Sequence, residues 1–300
     1  MDYKKIIKSQ NIRFGILKCL QWIPDSVMLH LQYRIKMGRW GNFKHPERLS
    51  EKLQSYKLYY HNPIMHICVD KQDVRTYVKE KGLKHILVDS YGVWDNAALI
   101  DFNSLPNSFV LKTTNGGGGL NVLLVPDKKK LDIEATVNSL NKKLIRGVNA
   151  AREWAYYNTS KPRIIAEQLL INPEKPECGV EDFKIFCFNG SPQFIIVDKD
   201  RFIGHKRNFY TTDWRRIDVD YEYPQDTSSL LQPENLDEML EVARILSTDF
   251  PFVRVDLYNV SGKIYFGELT FYPSAGYMKF TPDAFDLQFG DMLDCSTFMK

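Results

Sequence analysis

The sequence predicts an α+β protein of at least two lobes, and three observations lead there. Segments of helical period interrupt runs of apolar alternation along most of the 300 residues. Two alternating runs meet at Asn189-Gly190 and two more flank Ser261-Gly262, which is the turn chemistry of antiparallel hairpins. Finally, 44% apolar and 26% charged residues are ordinary for a packed soluble chain and exclude a disordered, collagen-like or disulfide-stapled one.

Forty Lys and Arg stand against 37 Asp and Glu, and a net charge of +3 gives no reason to expect a nucleic-acid partner. The five cysteines, Cys19, Cys68, Cys178, Cys187 and Cys295, are scattered without a CxxC pair. Neither a disulfide framework nor a structural zinc is indicated, and reduced thiols are expected. No apolar run reaches the roughly 18 residues of a membrane span, and MDYKKIIKSQ lacks the apolar core of a secretory signal. A cytoplasmic protein is expected.

Residues 1–60 read as helices with basic flanks, carrying Ile12, Ile16, Leu17 and Leu20, then Val27, Leu29, Leu31 and Ile35 after Pro24. Arg34, Lys36 and Arg39 beside Trp40 and Phe43 suit a membrane-touching segment. The favoured reading is a helix packed on its own domain with a solvated basic rim. A helix is expected over 70–82, closed by Gly82, then a short strand at Ile86, Leu87 and Val88. SFVLKTT, LNVLLV and RIIAEQLLI read as strands, and 132–158 as helical, with Leu140, Leu144 and Val148 spaced by four. DFKIFCFNG and PQFIIVDKD form the first hairpin, 234–247 a helix, and FVRVDLYNV with KIYFGELTF the last hairpin.

Several residues in these elements suit phosphate and metal chemistry. Asn115 precedes Gly116, Gly117, Gly118 and Gly119, whose bare backbone can turn successive N–H groups toward an anion; a plain hairpin is the alternative. Lys112 sits inside an apolar strand, where an ammonium must snorkel, pair or meet a ligand; an outward edge lysine is the alternative. Asp256 and Glu268 lie in the two strands of the last hairpin, near each other across the ladder. Opposed carboxylates repel unless a cation lies between them, and hard oxygen ligands suit Mg²⁺. Otherwise one faces solvent and the other pairs with Arg254 or Lys263. Arg254, two residues before Asp256, offers a guanidinium to a phosphate or simply neutralises Asp256. Glu167 could accept from a ligand amino group or make a surface salt bridge. Asp182 and Lys184 share a strand face, suiting a ribose hydroxyl and a phosphate. Lys199, Arg201, His205, Lys206 and Arg207 form either a phosphate-grasping loop or a positive rim.

The order of these features resembles the ATP-grasp superfamily, and within it the TupA-like branch of bacterial polysaccharide gene clusters. The matching stretches are VDKQDVRTYVKEKG, GVWDN, SFVLKTTNGGGG, KPRIIAEQLL, DFKIFCFNGSPQFI and FVRVDLYNVSGKIYFGELTFYPSAG, spanning about residues 40 to 290. The resemblance implies a nucleotide held between two α+β lobes: a mainly helical region at 1–105, one lobe at 106–172 and a second at 173–300. It implies Lys112 and Lys184 on ATP phosphates beneath Gly116 to Gly119, and Glu167, Gln168, Leu169 and Leu170 along the adenine. Asp182 would meet the ribose, and Asp256 and Glu268 would hold Mg²⁺. Arg254 would stand beside an acyl phosphate, with Lys184 and Arg207 as further catalytic groups. Glu268-Leu269-Thr270 stands where many relatives have Glu-x-Asn, so a second Mg²⁺ does not follow from the resemblance. The glycine loop also lacks the histidine of the branch's more usual Asn-His-Gly-Ser-Gly.

The activity so implied is ATP- and Mg²⁺-dependent carboxylate–amine ligation through an acyl phosphate. Its substrates would be a uronic acid, or an amino acid joined to one, in capsular or cell-surface polysaccharide synthesis, with peripheral association to a membrane assembly. Two alternatives are a nucleotide-sugar glycosyltransferase, given the Asp198-Lys199-Asp200 spelling, and an inactive ATP-grasp scaffold.

Overall fold

A computed structural model describes residues 15, 17, 19–115, 121–144, 149–157, 159–228 and 230–299. Gly116, Gly117, Gly118 and Gly119 lie outside these, as does Val148. Two antiparallel sheets organise the chain. The smaller runs β1–β4–β2–β3, built from β1 (Ser90–Trp94), β2 (Phe109–Thr113), β3 (Val122–Val125) and β4 (Ile164–Glu167). The larger runs β10–β9–β5–β6–β7–β8, with β5 (Asp182–Phe188), β6 (Ser191–Lys199), β7 (Lys206–Thr211), β8 (Arg216–Ile217), β9 (Phe252–Val260) and β10 (Lys263–Thr270).

Both hairpins form where expected, because Asn189 and Ser261 and the glycine after each adopt positive φ. The helices whose bounds lie among the described residues are α1 (Asp25–Met37), α2 (Leu49–Tyr59), α3 (Ile64–Cys68), α4 (Val74–Glu80), α5 (Ile133–Lys143), α6 (Leu236–Ser247) and α7 (Ala284–Gly290). No helix among the described residues is long and apolar enough to cross a membrane. All five cysteines are free.

Four expectations are corrected. Residues 86–88 are not a strand: Lys84–Ile86 make a 3₁₀ turn, and the strand is β1. The helix expected over 70–82 is only α4, because Asp70 turns back to accept from the Gln72 and Asp73 amides at 2.9 and 3.0 Å. Among the described residues of the helical stretch expected at 132–158, the α-helix is α5, started by the Asp132 carboxylate on Ala135 N. Within 149–157 the only helical turn is the 3₁₀ at Trp154–Tyr156. The strand RIIAEQLLI stops at Glu167, leaving Gln168, Leu169 and Leu170 half-buried beyond its end. β1 also shows that the smaller sheet draws a strand from the region before residue 106.

The large core joins the larger sheet to α6 and to the N-terminal helices. β5 shows how the pleat divides labour. Its Cys187 faces α6, with Sγ 3.8 Å from the Ala243 carbonyl. On the other face Phe186 stacks on Phe194, centroids 4.4 Å apart, and Phe194 stacks on Phe289 of α7 at 4.2 Å. Asp182 and Lys184 continue that second face. One side of a single strand is therefore aromatic where α7 covers it and charged beyond.

The smaller core gathers Phe109, Leu111, Val125, Ile164 and Ala166 with Leu140 of α5. α1 buries Met28, Leu29, Tyr33 and Met37, packing with Phe43 and Tyr277. Leu31 and Ile35 face outward, as does Val27.

Candidate functional site

The geometry of the last hairpin depends on one glycine. From the turn outward the partners are Val260–Lys263, Asn259–Ile264, Tyr258–Tyr265 and Leu257–Phe266. Continued without interruption, that register would set Gly267 opposite Asp256 and Glu268 opposite Val255, on the apolar face. A bulge at Gly267 inserts one residue, so Glu268 instead pairs with Asp256. A side chain at 267 would not fit, since its Cβ would lie 2.8 Å from the Asp256 carbonyl oxygen. Gly267 thus puts the two acids on one face.

Arg254 binds both acids. Its Nε and Nη2 each donate to Asp256 at 2.6 Å, and Nη2 also reaches Glu268 at 3.4 Å and Thr270 Oγ1 at 3.0 Å. Thr270 in turn donates to Glu268 at 3.0 Å. Lys184 donates to Asp182 and, at 3.4 Å, to Asp256, and lies 3.5 Å from Asp198. Arg201 closes the group on Asp182 at 2.9 Å.

Burial pushes the Asp256 carboxyl up to about 6, against Arg254 and Lys184, with Asp182 adding to the rise. Glu268 also feels burial, yet Lys71, Arg254 and Lys184 hold it below its ordinary value. Burial opposes the charge of Lys184, but Asp182 and Asp256 outweigh it and raise its pKa.

The smaller sheet carries a second, simpler cluster. Glu167 accepts from Lys112 at 2.8 Å and from Arg75 of α4 at 3.1 Å. Both oxygens of Glu167 are engaged, so in this state the acid fixes Lys112 within its strand. Lys71 connects the two clusters: burial lowers its pKa, and the charges acting on it include Glu268, Lys112 and Glu167. Gln168 follows, its amide donating to the Asp89 carbonyl at 2.9 Å. With Leu87, Asp89, Lys263 and Tyr265 it lines a cavity of about 410 Å³ beside the end of β4 and the start of β10.

Arg207 stands farther along the larger sheet. It is buried, forked on Asp198 at 2.6 and 2.8 Å and joined to Glu222 at 2.8 Å. Asp198 is thereby committed to Arg207, so the first carboxylate of the Asp198-Lys199-Asp200 spelling is already engaged. Glu222 also accepts from Ser274 at 2.7 Å. Ser274, Ala275 and Gly276 all have positive φ, 47°, 55° and 72°. Such strain lasts only where its surroundings impose it. Here Gln54 donates to the Gly276 carbonyl at 2.9 Å, and Lys57 to the Ala275 and Ala151 carbonyls at 2.7 and 3.0 Å.

Sequence reasoning missed Lys57, Lys71, Arg75 and Gly267. Only Gly267, a glycine inside a strand pattern, carried a local signal.

Burial drops the Lys57 ammonium to about 7, with Glu153 opposing. Between that value and the ordinary one near 10.5, the unfolded chain holds a proton that the folded chain has lost. Stability should therefore rise with pH over this window, by no more than about 1.4 kcal/mol per pH unit. Urea midpoints of the wild type should climb from about pH 7 to about pH 10, and Lys57→Met should remove that climb. Parallel profiles for the two proteins would contradict this assignment.

Asp256 and Glu268 fit a Mg²⁺ ion completed by phosphate oxygens, not one held by protein alone. They are hard donors on one face, while among the described residues no three His, Cys, Asp or Glu converge as metal ligands. Asp182 Oδ1 is buried and without a hydrogen-bond partner beside them, as a group awaiting a ligand would be.

Two antiparallel sheets, one presenting Lys112 and Glu167, the other Asp182, Lys184, Asp256 and Glu268, make up an ATP-grasp fold. A model of the family described as TupA-like ATPgrasp matches residues 51–294, and the chain belongs to that family. Among solved structures it is similar to a D-alanine–D-alanine ligase from Bacillus anthracis, at 16% identity and a TM-score of 0.44 over 68% of this chain and 57% of that one. It is also similar to an L-amino acid ligase from Bacillus licheniformis, at 15% identity and a TM-score of 0.40 over 75% and 43%. The chain thus spans little more than half the length of the first of these and less than half of the second. No curated protein matches the chain.

Proposed function

We propose that this protein is an ATP-dependent carboxylate–amine ligase whose acid substrate is a uronic acid, or an amino acid joined to one, of a cell-surface polysaccharide. The observation that carries the reading is the pairing of Asp256 with Glu268 on one guanidinium, beside Lys184. Phosphoryl transfer needs positioning and charge neutralisation more than a protein nucleophile, and this cluster supplies both.

In this reading Lys112 and Lys184 hold phosphate oxygens and Asp182 meets the ribose. Gln168, Leu169 and Leu170 border the base, next to the cavity at Asp89 and Tyr265. Asp256 and Glu268 would hold Mg²⁺, which when bound offsets the phosphate charge. Arg254 faces the acyl phosphate formed when a substrate carboxylate oxygen attacks the γ-phosphorus and ADP leaves. An amine then attacks the acyl carbon, phosphate departs and an amide results. Arg207, locked on Asp198 and Glu222, positions the Ser274 turn in place of touching phosphate.

The test is a product assay by mass spectrometry with ATP, Mg²⁺ and panels of uronic acids, amino acids and amines. The reading expects ADP, phosphate and an amide in equal amounts from at least one pair. ATP binding with no amide from any pair counts against ligation and favours an inactive scaffold; binding of UDP-sugar in place of ATP favours the glycosyltransferase.

A further inference from the structure

α1 is 13 residues long, or about 20 Å. Its inner face is buried, and a surface helix of this kind is normally polar on the other. Here the outer face carries Val27, Leu31 and Ile35, spaced by four and 49%, 42% and 50% exposed. Trp22, three residues before the helix, is 80% exposed, and Trp40, three residues after it, is 63% exposed. Isolated exposed apolar residues are ordinary, but five large ones within this short stretch are not.

Charge distinguishes the kind of surface that would cover them. Residues 1–44 hold nine Lys or Arg against only Asp2 and Asp25, a net +7; with the whole chain at +3, the remainder carries −4. Some of this positive charge is turned inward: Lys36 lies 4.0 Å over the Tyr277 ring, and Arg39 binds Asp283 and Asp286. Arg34 is exposed beside the apolar stripe and Lys44 is exposed beyond it. The sequence leading into the helix adds Lys4, Lys5, Lys8, Arg13 and Lys18.

We propose that the outer face of α1 docks on an anionic lipid bilayer. Exposed tryptophans at both ends of a short apolar stripe suit the headgroup boundary, where an indole keeps its N–H in a polar layer. Basic residues draw such a segment to acidic headgroups, while the net negative remainder of the chain is repelled, which orients the protein. A partner protein or a second copy of the chain would reward an apolar patch low in charge, whereas this one has Arg34 exposed beside it and belongs to a stretch of net +7. Three aliphatic side chains and two indoles give reversible, salt-sensitive attachment, not insertion.

Co-sedimentation of the full chain with vesicles tests this, using phosphatidylcholine alone and phosphatidylcholine mixed with phosphatidylglycerol. The expected result is binding to the mixed vesicles with a blue shift in tryptophan emission, little binding to the neutral ones, and release at about 0.5 M salt, where screening is strong. Leu31→Glu combined with Ile35→Glu should lower the bound fraction about tenfold at an unchanged melting temperature. Trp40→Ala, a milder change at an exposed site, should lower it in the same direction. Equal binding by wild type and both variants, or no binding to acidic vesicles, overturns the proposal. Concentration-dependent self-association without lipid, abolished by the double variant, would assign the face to a second copy instead.

Discussion

Glu268→Gln is expected to lower Mg²⁺-dependent ATP turnover by about a thousandfold while leaving the protein folded. The substitution keeps the shape of the side chain and removes only its charge. Because that side chain is 40% exposed, the stability cost should stay within about 1 kcal/mol. The activity cost is large because Glu268 is one of the two carboxylates that pair across the last hairpin and would hold the metal. Thr270, which already donates to Glu268, offers a hydroxyl in place of the lost charge. ADP release measured over a range of Mg²⁺ concentrations checks the prediction. An unchanged rate at every Mg²⁺ concentration would remove Glu268 from the site.

Arg254→Ala should be damaging in a different way. Arg254 makes two 2.6 Å bonds to Asp256, and the Asp256 side chain is 4% exposed. Truncation leaves that carboxylate buried with Lys184 as its remaining cation, at 3.4 Å. Breaking a buried pair by removing one partner typically costs about 3–5 kcal/mol, and Lys184 places this case near the lower end. Arg254→Lys restores the charge but not the fork, so it should recover part of the stability and less of the turnover. Urea unfolding and ADP release on the three proteins measure both effects. A loss below about 1 kcal/mol for Arg254→Ala would show that Lys184 alone satisfies Asp256.

The two hairpins and the helix at 234–247 were legible in the sequence because each is specified locally, by a turn dipeptide or by apolar period. The alternating pattern also placed Lys112, Glu167, Asp182, Lys184, Arg254, Asp256 and Glu268 on strands, and the structure gathers them into two clusters whose charges both act on Lys71. What the sequence did not disclose is long-range. Arg75 meets Glu167 from a helix 92 residues earlier, and Lys57 holds a turn 218 residues later; no local pattern encodes either contact. The strand expected at 86–88 failed because Ile86 closes the 3₁₀ turn Lys84–Ile86, while Leu87 and Val88 form an unpaired approach to β1. The closeness of positions 256 and 268 was expected from the turn, but simple counting puts the acids on opposite faces. The bulge at Gly267 is the physical reason they share one.

The nucleotide-binding claim is tested most directly by calorimetric titration of the wild-type protein with ATP, with Mg²⁺ and then after chelation. The account predicts saturable binding with a dissociation constant on the order of 1 μM to 1 mM, present with Mg²⁺ and at least tenfold weaker without it. Absence of binding, or identical binding with and without the metal, would contradict it.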